Sequence, residues 1–207
     1  LRPDTSATMI DSYFKYRAGF GNSSEMSSGE IWSTTSRIGE NELFRYIYVF
    51  AVLLDANLKI YPSDISYHFE DNTNSRWIAY ETNTTDTFKQ VDYDMPLEVL
   101  GGGEYKGKYG FQLYTLIPVG NSTANDMNGW YLQGEVDKWI TVSRQRFKEI
   151  TTNSNGDLYV RIAGENGETV NVGFVNGGTM KQQIVKCMIG ESEMAVIKMP
   201  QASCEAY

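Results

Sequence analysis

Apolar and polar residues alternate most clearly in the last third of the chain, where short alternating segments are separated by turn residues. Alternation with a period of two is typical of strands that bury one face. The first two segments flank a Gly- and Asn-containing turn at 164–167, so we predict that they form a hairpin; Pro200 ends the last segment. Four strands at this spacing indicate part of a β-sandwich. The predicted strands are residues 158–162, 169–174, 183–189 and 194–199.

The stretch 43–54 is apolar at both parities and rich in β-branched and aromatic residues. This pattern predicts a strand buried on both faces, although a core helix of this length has the same pattern. Further segments separated by turn-rich stretches are also predicted to be strands. These segments are residues 58–61, 65–69, 76–80, 88–93 and 111–117.

The segment 130–150 fits two structures. Apolar side chains that include Leu132, Val136 and Phe147 approximate a helical stripe, whereas residues 138–143 also fit a strand that opens a C-terminal module. We favour the strand. The turn residues 125–129 just before this segment are the best candidate for a domain boundary.

The N-terminal residues differ in pattern from the rest of the chain. The apolar side chains of Ile10, Phe14, Tyr16, Ala18 and Phe20 all lie at even-numbered positions, which predicts an amphipathic strand with a helix as the alternative. The Ser-, Gly- and Glu-rich stretch 22–30 has the composition of a linker. A strand on a linker is able to complete a sheet in its own domain or in a neighbouring molecule. The residues that we assign to this assembly arm are Ile10, Phe14, Tyr16 and Phe20.

These patterns predict an all-β fold. We expect an antiparallel β-sandwich, immunoglobulin-like or jelly-roll-like, with an N-terminal extended arm, and 207 residues suffice for one large β domain or two packed β modules. The predicted regions are an arm and linker at 1–32, a β-rich domain at 33–125 and a C-terminal β-sandwich module at 126–207.

The net charge of −8 disfavours nucleic acid and anionic membranes as partners, because both require a concentrated basic surface. The longest apolar run, residues 46–54, is far shorter than the ~20 residues that a membrane-spanning helix needs. We therefore predict no membrane span and no nucleic-acid partner.

Cysteines and glycosylation acceptors bear on the compartment. Cys187 and Cys204 are the only cysteines, and in an extracellular chain they predict a disulfide that contributes roughly 3 kcal/mol; two free thiols are the alternative. Asn22, Asn83 and Asn121 begin Asn-X-Ser/Thr acceptors in turn-like contexts, although chance accounts for their number. The first residues, Leu-Arg-Pro, fit a processed secreted form or an expression fragment.

The sequence contains no recognisable catalytic signature. His68 is the only histidine, and Asp64, Ser66 and His68 on one strand do not have the geometry of a triad. Neither 71–75 nor 153–157 has the spacing of an EF-hand, so we predict turns there and expect no metal and no cofactor. A carboxylate pair for glycoside hydrolysis has many candidates, among them Glu81, Asp92, Asp94, Glu104 and Glu135.

We expect a secreted, non-enzymatic glycoprotein with a structural or adhesive role. Its subunits would assemble into an oligomer or filament by adding residues 8–20 to a neighbouring copy. The alternative is a carbohydrate-binding module or lectin in which Trp77 and Trp130 stack on sugars. A carbohydrate-active enzyme is the third and weakest hypothesis.

Overall fold

The computed structural model describes residues 12–14, 30–39, 44–54, 56–61, 76–82, 87–92, 94–101, 110–119 and 129–207. Every regular element within these residues is a β-strand, which confirms the predicted all-β class. The strands are β1 Ser12–Phe14, β2 Glu30–Ile38, β3 Phe44–Val52, β4 Leu58–Ile60, β5 Trp77–Glu81, β6 Lys89–Val91, β7 Leu97–Val99, β8 Phe111–Pro118, β9 Trp130–Glu135, β10 Phe147–Thr152, β11 Leu158–Ala163, β12 Thr169–Asn176, β13 Lys181–Met188, β14 Met194–Met199 and β15 Ser203–Ala206.

Four antiparallel sheets are formed by the described strands. Their orders are β1-β2-β3-β8-β5-β6, β10-β11-β14-β15, β13-β12-β9 and β4-β7. The chain divides into two compact units, unit 1 with residues 1–8, 36–46 and 117–207 and unit 2 with residues 9–35 and 47–116. The division falls inside β2, β3 and β8. The three regions expected from sequence, 1–32, 33–125 and 126–207, stay a prediction.

Unit 1 contains the sheets β10-β11-β14-β15 and β13-β12-β9, the arrangement expected of a small β-sandwich. The four predicted strands of the last third are present as β11, β12, β13 and β14. Alternate side chains of both sheets are fully buried, and each large one contributes about 1.5–3 kcal/mol. They include Val160, Ile162, Val172, Phe174, Ala195 and Ile197, all 0% exposed.

The strands β11 and β12 do not form the predicted hairpin. β11 pairs with β10 and β14, whereas β12 pairs with β13 and β9, so the turn at 164–168 carries the chain from one sheet to the other. The turn between β13 and β14 does the same. Both sheets bury one face in the same core, so a strand of either sheet has the same alternation of apolar and polar residues. The sequence pattern therefore does not distinguish a turn within one sheet from a turn that crosses between sheets.

Residues 138–143 are not the predicted strand, and no helix occupies 130–150. β9 ends at Glu135 and β10 begins at Phe147, with turns and irregular backbone between them. Thr141 to Ser143 are buried, and the carbonyl of Thr141 accepts a hydrogen bond from the Glu135 amide at 2.8 Å. Gly134 makes this contact possible, because a Cβ there would lie 2.3 Å from the Thr141 oxygen. Residues 141–143 therefore pack closely against β9 without forming a regular strand.

Unit 2 is built around β3 and β8. Ile47, Tyr48 and Val49 of β3 are at most 1% exposed, which confirms a strand buried on both faces. The predicted segments 58–61, 76–80, 88–93 and 111–117 coincide with β4, β5, β6 and β8 to within a few residues at each end, and segment 65–69 lies outside the described residues. A single apolar cluster joins these strands. It contains Ile31, Ile47, Val49, Ala51, Ile60, Trp77, Ala79, Val91, Leu97, Val99, Tyr114 and Leu116.

Strands β2, β7, β9, β10 and β15 were not predicted from the sequence. Glu30, which the composition assigned to a linker, begins β2. The buried positions of β2 include Ser33, Thr35 and Ser36, at 3%, 8% and 3% exposure. Hydroxyl side chains in buried positions hide the apolar alternation on which sequence prediction of a strand depends.

Candidate functional site

Several site residues predicted from sequence lie outside the described part of the chain. The three glycosylation acceptors and most of the assembly arm belong to this group, so those assignments stay predictions. They are Asn22, Asn83, Asn121, Ile10, Tyr16 and Phe20. Phe14 is the one arm residue that lies in a described strand, β1.

β1 lies at one edge of the six-stranded sheet and pairs antiparallel with β2 of its own chain. The register joins Ser12 to Ser33, Tyr13 to Trp32 and Phe14 to Ile31. Ile31 is 3% exposed and belongs to the apolar cluster of unit 2, so β2 connects this edge to the core. Among the described residues, only three pairs join β1 to β2 in this register. Because each hydrogen bond contributes about 1 kcal/mol net, the free energy of this pairing is small.

The predicted disulfide between Cys187 and Cys204 is present. It joins β13 of the three-stranded sheet to β15 of the four-stranded sheet, with 5.4 Å between the two Cα atoms. Cys187 is fully buried. The bridge closes a segment of 17 residues, and loop closure of that length contributes about 3 kcal/mol. It therefore fixes the C-terminal strand to the opposite sheet of unit 1.

The tryptophans do not support the predicted sugar-stacking role at Trp77. Trp77 is 7% exposed and packs in the apolar cluster of unit 2, so neither face of its ring is open to a sugar. Trp130 begins β9 opposite Asn176 and is half-buried. Trp139 is the more exposed ring, at 47%, and lies in the irregular segment after β9.

A partly buried ionic cluster in unit 1 was not found from sequence. Arg146, in the turn before β10, contacts Glu135 at the end of β9, with 3.3 Å between Nε and Oε1. Its two terminal nitrogens bind both carboxylate oxygens of Glu168, just before β12. Nη1 also donates to the carbonyl of Ala163 in β11 at 2.6 Å. One guanidinium thus connects the two sheets of the sandwich.

Burial and pairing shift the pKa values within this cluster. Burial raises the pKa of Glu135, whose side chain is 3% exposed, although Arg146 opposes the shift. Hydrogen bonds from Arg146 lower the pKa of Glu168. Burial opposes the charge of Arg146, but its bonds to the two carboxylates prevail and raise its pKa. Glu135 Oε2 is buried and has no hydrogen-bond partner in the described part of the chain.

An open cleft of about 970 Å³ lies beside this cluster. Three turns of unit 1 form its walls: the turn before β10, the turn after β11 and the turn before β14. The lining residues are Ser143, Gln145, Arg146, Lys148, Ala163, Gly164, Glu165, Glu168, Ser192, Glu193 and Met194. No local motif marks these residues, because the cleft exists only once both sheets are packed together.

The acids considered for a hydrolytic pair occupy separate settings. Glu135 is bound to Arg146. Asp92 stabilises its own turn, since Oδ1 accepts hydrogen bonds from the amides of Asp94 and Met95. Glu81 is 7% exposed and lines a cavity of about 200 Å³ in unit 2. Glu104 lies outside the described residues.

No protein-family model, no curated protein and no solved structure matches this chain. Within the described ranges, no cluster of three or more His, Cys, Asp or Glu residues has a geometry able to hold a metal ion. The same ranges contain no helix that is both long enough and apolar enough to cross a membrane.

Proposed function

We propose that this chain is a non-enzymatic structural or adhesive subunit that assembles with copies of itself by strand addition. In this proposal, residues 8–20 of one subunit pair with β2 of a neighbour. The position of β1 supports it: a three-residue strand at the edge of a sheet, joined to β2 by the 15 residues from 15 to 29. A second copy of β1 offers β2 the same backbone donors and acceptors.

The β1–β2 hydrogen bonds are the same in both modes of pairing. The balance between pairing within a chain and pairing between chains therefore depends on residues 15–29, which connect the two strands. A linker of this length and composition gives an effective concentration in the millimolar range for pairing within the chain. Pairing between chains therefore prevails when subunits are concentrated, or when the rest of residues 8–20 adds contacts. In this proposal, the apolar side chains of Ile10 and Phe20 supply such contacts.

An extracellular location is part of the proposal. The Cys187–Cys204 disulfide supports it, since such bonds persist in oxidising compartments. N-glycans at Asn22, Asn83 and Asn121 would keep those segments facing solvent in an assembly.

Cysteine cross-linking distinguishes the two modes of pairing. Ser12 and Ser33 are register partners, so Ser12→Cys/Ser33→Cys introduces thiols at two directly paired backbone positions. Pairing between chains yields a ladder of covalent multimers on non-reducing gels, and pairing within the chain yields a cross-linked monomer. We expect the ladder at high protein concentration, with each single variant as a control. Cross-linked monomer alone at every concentration would refute self-assembly.

Deletion of residues 1–29 is a second test. We expect light scattering to show loss of the oligomer while near-UV circular dichroism retains the signal of a packed core. An oligomeric state unchanged by the deletion contradicts the proposed role of the arm.

A further inference from the structure

We propose that the open cleft of unit 1 binds a neutral, hydroxyl-rich ligand, of which saccharides are the commonest class. Its volume of about 970 Å³ is at the upper end of the range typical of small-molecule sites. The lining residues all lie between 143 and 194, so the inference does not depend on the N-terminal arm or on self-assembly.

The floor of the cleft is fixed before any ligand arrives. Arg146 is held by two carboxylates and a carbonyl, as described above. The backbone at Gly164 lies directly against this ion pair, since a Cβ there would be 2.2 Å from Arg146 Nη1 and 2.3 Å from Glu168 Oε2. The Gly164 amide also donates to the carbonyl of Glu193 at 3.0 Å, which joins two walls of the cleft. A site with a rigid floor loses little conformational entropy when it binds.

The side chains at the rim are free to bind a ligand. Five of them are exposed and make no hydrogen bond or ion pair with the described residues. They provide carboxylate acceptors, an ammonium donor, a hydroxyl, and an amide that does both. The five are Gln145, Lys148, Glu165, Ser192 and Glu193.

The mixture of charges selects the class of ligand. Arg146 is shared by Glu135 and Glu168, and the rim adds Glu165 and Glu193 as free anions and Lys148 as a free cation. A polyanion is repelled by the two carboxylates, and a polycation, although the carboxylates attract it, leaves the donors of Lys148 unused. A neutral polyol has hydroxyls that both donate and accept, so it satisfies every free group.

The affinity expected for one short saccharide is low. None of the residues that line the cleft is aromatic, so the stacking that strengthens many sugar sites is missing here. Hydrogen bonds exposed to water contribute little net free energy. We expect dissociation constants in the millimolar range, roughly 1–10 mM, for a trisaccharide.

The test is an NMR titration of the full chain, labelled with ¹⁵N, using maltotriose, cellotriose, chitotriose and mannotriose as probes. We expect at least one probe to shift the amides of Gly164, Glu165 and Glu193 in a saturable way. The variant Glu165→Ala/Glu193→Ala should weaken binding by at least about tenfold, because it removes both free carboxylates. A matched control, Glu149→Ala/Glu191→Ala, removes two exposed acids that do not line the cleft and should bind like the parent chain.

Three outcomes overturn the inference. One is that none of the four trisaccharides shifts these amides at 20 mM. Another is that binding survives in the Glu165/Glu193 variant. The third is that spermidine or inorganic phosphate, tested in the same way, shifts the cleft amides when no saccharide does, which would assign the cleft to a charged ligand.

Discussion

At the scale of single residues, Arg146 has the largest expected effect on stability. Arg146→Met keeps much of the side-chain length but leaves Glu135, whose side chain is 3% exposed, without its cation. Removal of one partner from a buried ion pair costs about 3–5 kcal/mol, and we expect a loss of that size in urea unfolding at pH 7.

Arg161→Met is the matched control for this prediction. Arg161 pairs with Glu149 at 3.3 Å, but both side chains are about half exposed, so the expected change is within about 0.5 kcal/mol. Equal losses in the two variants would show that the buried cluster contributes no more than a surface pair.

The pH dependence of stability separates the two glutamates. Because hydrogen bonds from Arg146 lower the pKa of Glu168, its contribution is present above the ordinary carboxyl pKa of about 4.3 and is lost as the pH falls through the lowered value. Burial raises the pKa of Glu135, so this residue acts in the opposite direction: stability falls as the pH rises through the raised value.

Glu168→Gln tests the first of these effects. We expect the variant to be about 1–2 kcal/mol less stable than the parent at pH 7, with a difference that shrinks steadily below about pH 4.3. Urea unfolding from pH 3 to pH 7 measures it. If the difference is the same at pH 3 as at pH 7, the charge of Glu168 is not what stabilises the cluster.

The ion cluster and its cleft could not be predicted from sequence for a specific reason. The disulfide, by contrast, could be predicted from sequence, because two cysteines allow only one pairing. Glu168 lies 22 residues from Arg146, and many other acids compete for that arginine. A charged residue in a sequence is expected at the surface unless it is paired, and the pairing here depends on how two sheets pack.

At the scale of elements, the sequence predicted strands better than it predicted their partners. Strands β3, β8 and β11 to β14 lie at or near the positions that alternation and apolar runs indicate. The hairpin predicted at the turn 164–167 is instead a crossing between sheets, and the turn 190–192 is a second such crossing. Apolar alternation encodes which face of a strand is buried, and it carries no information about which edge is paired.

The contact between β9 and residues 141–143 gives an element-scale prediction. Gly134 has φ +104° and no space for a Cβ, so Gly134→Ala combines backbone strain with a clash against the Thr141 carbonyl. Gly156→Ala is the matched control, because φ there is +83° and nothing lies within 4 Å of the added carbon.

We expect the control to lose about 1 kcal/mol from backbone strain alone, and Gly134→Ala to lose at least about 2 kcal/mol more. Thermal or urea unfolding of the two variants provides the comparison. Similar losses of unfolding free energy at both positions would mean that residues 141–143 move away from the added Cβ at no measurable cost. The contact between β9 and this segment would then contribute nothing to stability.

At the scale of the whole molecule, unit 1 is discontinuous in sequence. Residues 36–46 belong to it together with 117–207, and hydrogen bonds between described residues join the two parts. Ser36 Oγ donates to the Val142 carbonyl at 2.8 Å, Arg144 Nε to that of Arg37 at 2.9 Å, and the Tyr46 hydroxyl to that of Leu132 at 2.8 Å. The composition of the sequence predicts a boundary near residue 125. It does not reveal that residues 36–46 belong to the same unit as residues 117–207.

This discontinuity predicts how the C-terminal module behaves when it is isolated. Residues 126–207 expressed alone lack Tyr46, which is 1% exposed in the full chain, so we expect a thermal midpoint well below that of the full chain.

In the full chain, Tyr46→Phe removes the donor to the buried Leu132 carbonyl and should cost about 1–2 kcal/mol. Phe50→Leu changes a half-buried aromatic side chain of the same strand without touching this bond, and it serves as the control. A fragment as stable as the full chain, together with a silent Tyr46→Phe, would show that 126–207 folds without residues 36–46.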